Sequence, residues 1–359
     1  MTERRALVAM SGGVDSAVSA LLTKQAGYRT EGVTMCLCPS REDAACGGTV
    51  DASDARAIAD RLSIPHTVLP MTDDFDREVI APFVASYECG QTPNPCILCN
   101  RRLKFGRLLA YARERGIDTL VTGHYARVHY DEASGEYRLL RARCLAKDQS
   151  YVLYFLSQEQ LAQLYFPLGE MSSKDEVRAL AAECGFLCAA RPDSQDICFI
   201  PDGDYGTFIR SYTGKSYPEG DFISVDGRPL GRHRGLIHYT VGQRKGLGIA
   251  LGTPMYVKAT SPRDNTVTLA TDEALFSQGC TVRQTSFTAS TAPTAPFRAQ
   301  VKVRYKAPLA DATVTPLADG CARITFDAPQ RALTPGQAAV LYDGDTVLGG
   351  GIIDNVENT

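Results

Sequence analysis

Residues 7–22, LVAMSGGVDSAVSALL, read as a buried strand, a glycine loop and a helix in immediate succession. Leu7, Val8 and Ala9 form the apolar run of a central strand, and Gly12 and Gly13 let the backbone turn tightly and approach a ligand without Cβ interference. From Val14 onward the apolar positions Val14, Ala17, Val18, Leu21 and Leu22 share one helical face, and Gly27 stands where a C′ glycine ends a helix. The free N–H groups of that helix face the loop, where hydrogen bonds and the macrodipole favour phosphate. Ser11 and Ser16 add hydroxyls, and Asp15 offers a carboxylate for a magnesium ion bridging phosphate oxygens. Two glycines alone would serve any tight strand–helix turn, but the string SGGVDS lacks both the lysine of a Walker A loop and the GxGxxG spacing of a dinucleotide fingerprint.

SGGVDS resembles the PP-loop of the ATP pyrophosphatase superfamily (adenine nucleotide alpha hydrolase-like), whose members cleave ATP between the α and β phosphates to adenylate a substrate. That superfamily contains amidating, thiolating and ring-forming enzymes, so the loop by itself leaves the substrate open.

With 359 residues and 44% hydrophobic content, the chain is long enough for two or three domains with their own cores. No apolar run approaches the length of a membrane span and residues 1–6 carry no hydrophobic segment, so a cytoplasmic protein is expected. There, 12 cysteines are expected to be thiols, metal ligands or catalytic groups, not a disulfide framework. A formal net charge of −3 argues against non-specific coating of nucleic acid while leaving room for local basic faces. Three basic clusters qualify: Arg101, Arg102 and Lys104; Arg138, Arg141, Arg143 and Lys147; and Arg228, Arg232, Arg234, Arg244 and Lys245. Each alone suits a solvated face equally well.

Along the chain, strands are expected at Gly32 to Met35, His66 to Leu69 and Thr119 to Thr122. They alternate with helices at Asp51 to Leu62, Arg77 to Tyr87 and Arg101 to Arg115, a pattern that implies a doubly wound parallel sheet. Ligands of such sheets lie beyond the carboxyl ends of the strands, which puts Met35 and Gly123 in the crevice with the glycine loop. Val128 to Arg143 reads as a hairpin, and Ser150 to Leu164 and Lys174 to Cys184 as helices, the latter with capping-box spacing from Ser173 to Glu176 and Gly185 at C′. Residues 1–204 are therefore expected to form the nucleotide-binding domain. A small β-rich central domain over 205–278 and a C-terminal antiparallel β-barrel over 279–359 complete the chain.

Two cysteines stand in chemically suggestive positions. Cys99 opens the Arg101 helix, where partial positive charge with Arg101 and Arg102 would lower a thiol pKa, and Cys198 follows the polar run Asp193 to Asp196. Both also suit small buried positions, the usual place of a lone cysteine.

SGGVDS, TPNPCILCNRRLKF, TGHYARV, KDQSYVLYFL, PDSQDICFI and HYTVGQRKGLG, in this order and at these distances, resemble the bacterial tRNA-specific 2-thiouridylase family over essentially the whole chain. The resemblance implies ATP-dependent exchange of oxygen for sulfur at C2 of the wobble uridine of tRNA, the sulfur arriving as a persulfide relayed from a cysteine desulfurase. Carried over residue by residue, it implies an ATP loop of Ala9, Met10, Ser11, Gly12, Gly13, Val14, Asp15 and Ser16, with Met35 and Gly123 near the adenosine. The nucleophile matches Cys99 and the persulfide carrier Cys198. Asn94, Pro95 and Cys96 match the strip facing the target base, and Lys147, Asp148, Gln149, Arg304 and Tyr305 match tRNA contacts. ATP, magnesium, tRNA and a sulfur donor are the implied ligands and partners, and a monomer is expected.

Cys96 replaces the aspartate of the commoner motif and creates a C-x-x-C. Cys96, Cys99 and Cys198 then have the makings of three ligands to a 4Fe–4S cluster, an alternative to the persulfide route. The same pair permits zinc, with Cys89 as the nearest further ligand. Cys36, Cys38 and Cys46 form no second regular pair, and His124 suits a structural hydrogen-bonded role. A PP-loop amidating ligase and a non-catalytic RNA-binding protein are the competing readings. The first lacks a glutaminase domain, and the second leaves SGGVDS without purpose. The QRKGLG loop over 243–248 offers Arg244 and Lys245 to an RNA backbone.

Overall fold

The computed structural model describes residues 4–37, 52–191 and 197–357. Cys38, Cys46 and the Asp193 to Asp196 run lie outside the described residues. Five parallel strands form the first sheet: β1 (Arg5–Ala9), β2 (Arg29–Cys36), β3 (His66–Pro70), β4 (Thr119–Val121) and β7 (Leu164–Tyr165), in the order β3-β2-β1-β4-β7. The order reverses between β1 and β4, so the crevice at their carboxyl ends is the topological switch point.

Side chains of β1 alternate between two cores, as the period of a strand requires. Ala6 and Val8 join Val14, Ala17, Val18 and Leu21 of α1 (Val14–Gln25), Ile58 and Ala59 of α2 (Ala52–Arg61) and Val177 and Ala181 of α5 (Lys174–Glu183). Leu7 faces the other layer, where it meets Phe105, Leu108, Leu109 and Ala112. Helix α3 runs on through Thr72–Phe75, Asp76–Ile80 and Ala81–Glu88, and α4 through Pro95–Leu98, Cys99–Leu108 and Leu109–Glu114.

Two expectations are corrected. The helix expected over Arg101 to Arg115 is π-helical through Cys99–Leu108. Gly106 eases that winding, since a Cβ there would sit 3.1 Å from the carbonyl oxygen of Arg101, five residues back. The helix expected over Ser150 to Leu164 is a 3₁₀ turn at Ser150–Val152, a short capped helix at Gln158–Leu161 and β7. Tyr151, Leu153, Tyr154 and Leu156 are all fully buried, so the segment has no solvent face to make it an amphipathic helix. The carboxylate of Asp148 accepts from Ser150 N and Oγ, and Ser157 starts the short helix with a capping box to Gln160.

The hairpin β5 (Ala126–Asp131) and β6 (Glu136–Arg141) turns where expected. Helix α6 (Tyr205–Thr213) leads into the central sheet of β8 (Gly220–Ser224), β9 (Pro229–His233), β10 (Tyr256–Ser261) and β11 (Thr266–Ala270), ordered β10-β11-β8-β9. Six strands then close a barrel in the order β12-β15-β14-β13-β16-β17: β12 (Phe276–Phe287), β13 (Phe297–Lys302), β14 (Ala310–Pro316), β15 (Ala322–Arg331), β16 (Ala338–Asp343) and β17 (Thr346–Glu357). Pairing of β12 with β17 makes the closure, which removes the free edges. The barrel is not a separate lobe. Ala338, Val340 and Tyr342 of β16 pack in the same core as Leu7 and Phe105, and Thr346 of β17 pairs with Leu140 of β6. Among the described residues no helix is long and apolar enough to cross a membrane.

Candidate active site

The glycine loop needs a left-handed residue at one place, Gly12, with φ at +76°. Gly13 is the N-cap of α1 in extended conformation, so the tight turn rests on Gly12. The Ser16 hydroxyl donates to Gly13 O at 2.9 Å and accepts from Ser11 N at 3.1 Å, bracing the loop across its mouth. Met10 continues β1 by donating its N–H to Val33 O, and Met35 is the penultimate residue of the neighbouring β2. Gly123 follows β4 so closely that a Cβ would lie 3.1 Å from the Asp15 carbonyl carbon and 3.2 Å from Ser16 N. The expected crevice of loop, Met35 and Gly123 is thus assembled by adjacent parallel strands.

Asp15 is held by two groups that sequence reading did not single out. Lys174 Nζ, at the start of α5 behind the Ser173 cap, lies 2.6 Å from Asp15 Oδ1, and Tyr125 donates its hydroxyl to the same oxygen at 2.8 Å. Asp15 Oδ2 takes no partner among the described residues, and a free carboxylate oxygen beside a phosphate loop fits a hard cation such as magnesium. The sequence signal for Lys174 was indirect: a phosphate loop without its own lysine calls for one from elsewhere in the chain. His124 is buried, shares a 2.7 Å hydrogen bond with the Thr122 hydroxyl, and is held far toward the neutral form by burial, with the Lys104 ammonium adding to the effect. Its role is structural.

Asn94 caps α4 by accepting from Cys96 N at 3.1 Å, and Pro95 takes the first position of the helix, where its missing N–H costs nothing. Cys96 therefore lies in the first turn and Cys99 in the second, not at the helix start. Cys99 packs with Leu103 and Phe199, which brings the Cys198 segment onto α4. All ten cysteines in the described residues are free thiols, with Cys96 and Cys198 keeping exposed surface and Cys99 half-buried.

Crowding by protein raises all three thiols above the ordinary cysteine value, Cys198 to about 12. Neighbouring thiols add to this at Cys99 and Cys198, while the Lys104 ammonium opposes it at all three. The expected depression of the Cys99 pKa by Arg101 and Arg102 is not observed. Arg101 turns away, donating to Ser286 Oγ at 2.6 Å and stacking over Phe155, and Arg102 faces Glu78. Lys104, counted in the sequence only as part of a basic face, is the cation that α4 directs at the thiols.

Cys96, Cys99 and Cys198 thus come together, yet among the described residues no group of three or more Cys, His, Asp or Glu is placed to hold a metal ion. The iron–sulfur and zinc arrangements find no support in this geometry. Cys89 is exposed at the end of α3.

The expected RNA-contacting residues divide. Asp148 is buried, accepting from Ala142 N, Ser150 N and Ser150 Oγ, and Gln149 ties its side chain to Tyr125 N at 3.0 Å. Both side chains are engaged by the protein itself, while Lys147 is half-exposed. Arg304 is engaged inside the protein: its guanidinium donates to Val241 O at 3.0 Å, to Ala332 O at 2.8 Å and to the Thr334 hydroxyl. Tyr305 stands beside Tyr151, ring centroids 6.0 Å apart, within electrostatic reach of Asp148 and Cys96.

Three family models cover the chain: a tRNA methyl transferase HUP domain over residues 4–202, a tRNA methyl transferase PRC-barrel domain over 206–271 and an aminomethyltransferase beta-barrel domain over 277–353. The tRNA-specific 2-thiouridylase MnmA of Moorella thermoacetica is 49% identical over 98% of this chain and 99% of its own. That of Acetivibrio thermocellus is 46% identical over 98% of this chain and all of its own. The chain belongs to the tRNA-specific 2-thiouridylase family. Among solved structures, a 4-thiouridine synthetase–RNA complex with bound ATP matches 56% of this chain and 46% of that one, at 18% identity and a TM-score of 0.38. The U34-tRNA thiolase NcsA from Methanococcus maripaludis with its 4Fe–4S cluster matches 59% of this chain and 67% of that one, at 17% identity and a TM-score of 0.34.

Proposed function

We propose that this enzyme converts the wobble uridine of tRNA to 2-thiouridine, consuming ATP and releasing AMP and pyrophosphate. The observation that supports the reading is that Cys99 and the residues flanking Cys198 pack in one cluster with Met35, whose strand β2 pairs with the β1 that leads into the SGGVDS loop. Ala9 to Ser16 cradle the triphosphate, with the N–H groups of α1 and the Ser11 and Ser16 hydroxyls as donors. Met35 and Gly123 border the adenosine. Asp15 would hold magnesium, which would neutralise phosphate charge. Lys174, which lies against Asp15, supplies the ammonium that the loop lacks.

The uridine C2 oxygen attacks the α-phosphorus and pyrophosphate leaves, making that oxygen part of a good leaving group. Cys198 carries the terminal sulfur as a persulfide. The Cys99 thiolate attacks the Cys198 sulfur, releasing hydrosulfide to add at C2 as AMP departs, and a Cys99–Cys198 disulfide remains for an external thiol to reduce. Lys104 offsets the negative charge that gathers on the sulfur side. Asn94, Pro95 and Cys96 border the target base, and Lys147 and Tyr305 contact the RNA. A sulfur-relay protein of the cysteine desulfurase type delivers the sulfur, and the working unit is a monomer.

ATP–pyrophosphate exchange that requires added tRNA tests the adenylation half. Exchange independent of tRNA, or driven by free glutamine or ammonia, would contradict the reading. Lys174→Ala is expected to raise the KM for ATP by at least tenfold with tRNA affinity unchanged, read from initial rates and filter binding.

A further inference from the structure

Arg304 and Lys302 sit two residues apart at the end of β13, and the fold uses them in different ways. Arg304 is half-buried with its guanidinium spent on Val241 O, Ala332 O and the Thr334 hydroxyl, of which the bond to Val241 ties the barrel to the central domain. Lys302 is half-buried too, but among the described residues its ammonium makes no hydrogen bond and no ion pair. Its one contact is with the Tyr305 ring, 5.8 Å from the centroid. Arg141, the last residue of β6, has a side chain one-fifth exposed and lies within electrostatic reach of Lys302. The carboxylate between the two cations is Asp148, already accepting three hydrogen bonds from Ala142 and Ser150 and only 3.8 Å from Arg141 Nε in a loose ion pair.

The balance of charge at this seam is positive and partly desolvated. Burial pushes the Lys302 ammonium below its ordinary value, opposed by Asp148 and reinforced by Arg141. A half-buried cation without an anion is costly unless a ligand supplies one. Tyr305 forms an aromatic floor beside it and lies within electrostatic reach of Cys96. A permanent anion next to a flat face is the chemistry of a nucleotide, with phosphate on the ammonium and base on the ring.

We propose that Lys302, with Arg141 beside it, binds a backbone phosphate of the tRNA adjacent to the target uridine while a base lies on Tyr305. The proposal rests on the reading of this chain as a tRNA-modifying enzyme. Each phosphate neutralised contributes about 0.7 to the slope of log affinity against log salt for single-stranded RNA.

The test is the salt dependence of binding between the full-length protein and a tRNA anticodon stem–loop, for wild type, Lys302→Met, Lys302→Gln and Lys302→Arg. The Met and Gln variants are expected to bind more weakly at low salt and to lose about 0.7 from the slope, with Lys302→Arg close to wild type. A purely structural lysine would change affinity, if at all, without changing the slope. Wild-type slopes in both neutral variants would overturn the proposal. A wild-type protein that fails to bind the stem–loop would overturn the tRNA reading beneath it, so the two failures are distinguishable.

Discussion

At the residue scale, the account rests on two thiols with different tasks. Cys99→Ala and Cys198→Ala are each expected to abolish formation of 2-thiouridine while leaving tRNA affinity within about twofold, since neither truncation removes a phosphate contact. Activity near wild type in either variant, read by nucleoside analysis, would remove that residue from the mechanism. The protonation states yield a second prediction. Cys198 is pushed up to about 12 by burial and neighbouring thiols, so below that value it is the neutral thiol that accumulates. The rate of iodoacetamide alkylation at Cys198 should rise roughly tenfold per pH unit from pH 8 to pH 10, where a free cysteine levels off near its pKa of about 8.5. A plateau near pH 9 by peptide mass spectrometry would contradict the environment described. The identities of these thiols were legible in the motifs. Their electrostatics were not, because they depend on which cation of α4 faces the thiols and on packing against Phe199, which becomes a neighbour only through the fold.

At the element scale, the strand–loop–helix unit was legible because each local preference agrees with the tertiary structure: apolar β1, Gly12 at positive φ, an amphipathic α1 and Gly27 at its end, φ +82°. Ser173 accepts from Glu176 N as the capping pattern implied, although the Glu176 carboxylate turns to Ser172 instead of closing the box on Ser173. The apolar run over 151–156 is buried on all sides, which erases the periodicity that separates helix from irregular chain. The π-helical winding at Cys99–Leu108 leaves no pattern in composition. Gly123 joins two elements by its lack of a side chain. Gly123→Ala is expected to push β4 against the Asp15–Ser16 backbone and raise the KM for ATP about tenfold, with a melting temperature within a few degrees of wild type. An unchanged KM would show that the 3.1 Å approach has no bearing on nucleotide binding.

At the scale of the whole molecule, the three-part succession of parallel sheet, small β domain and barrel could be read from changes in texture along the chain, but not the way the parts share a core. Tyr151 donates its hydroxyl to Ala338 O across the catalytic–barrel boundary, and Arg304 joins the barrel to Val241. Contacts between residues so far apart in sequence carry no local signature. Arg304→Met is expected to destabilise the fold by about 3 kcal/mol, because it leaves buried carbonyls unpaired, and calorimetry should detect the loss as a lower melting temperature. The most direct measurement of the proposed ATP-dependent thiolation is mass spectrometry of nucleosides from tRNA incubated with the protein, ATP, magnesium and a persulfide donor. The account predicts 2-thiouridine at the wobble position, dependent on ATP and lost in Cys99→Ala and Cys198→Ala. Unmodified uridine with the complete mixture, or thiolation that persists without ATP, would contradict it.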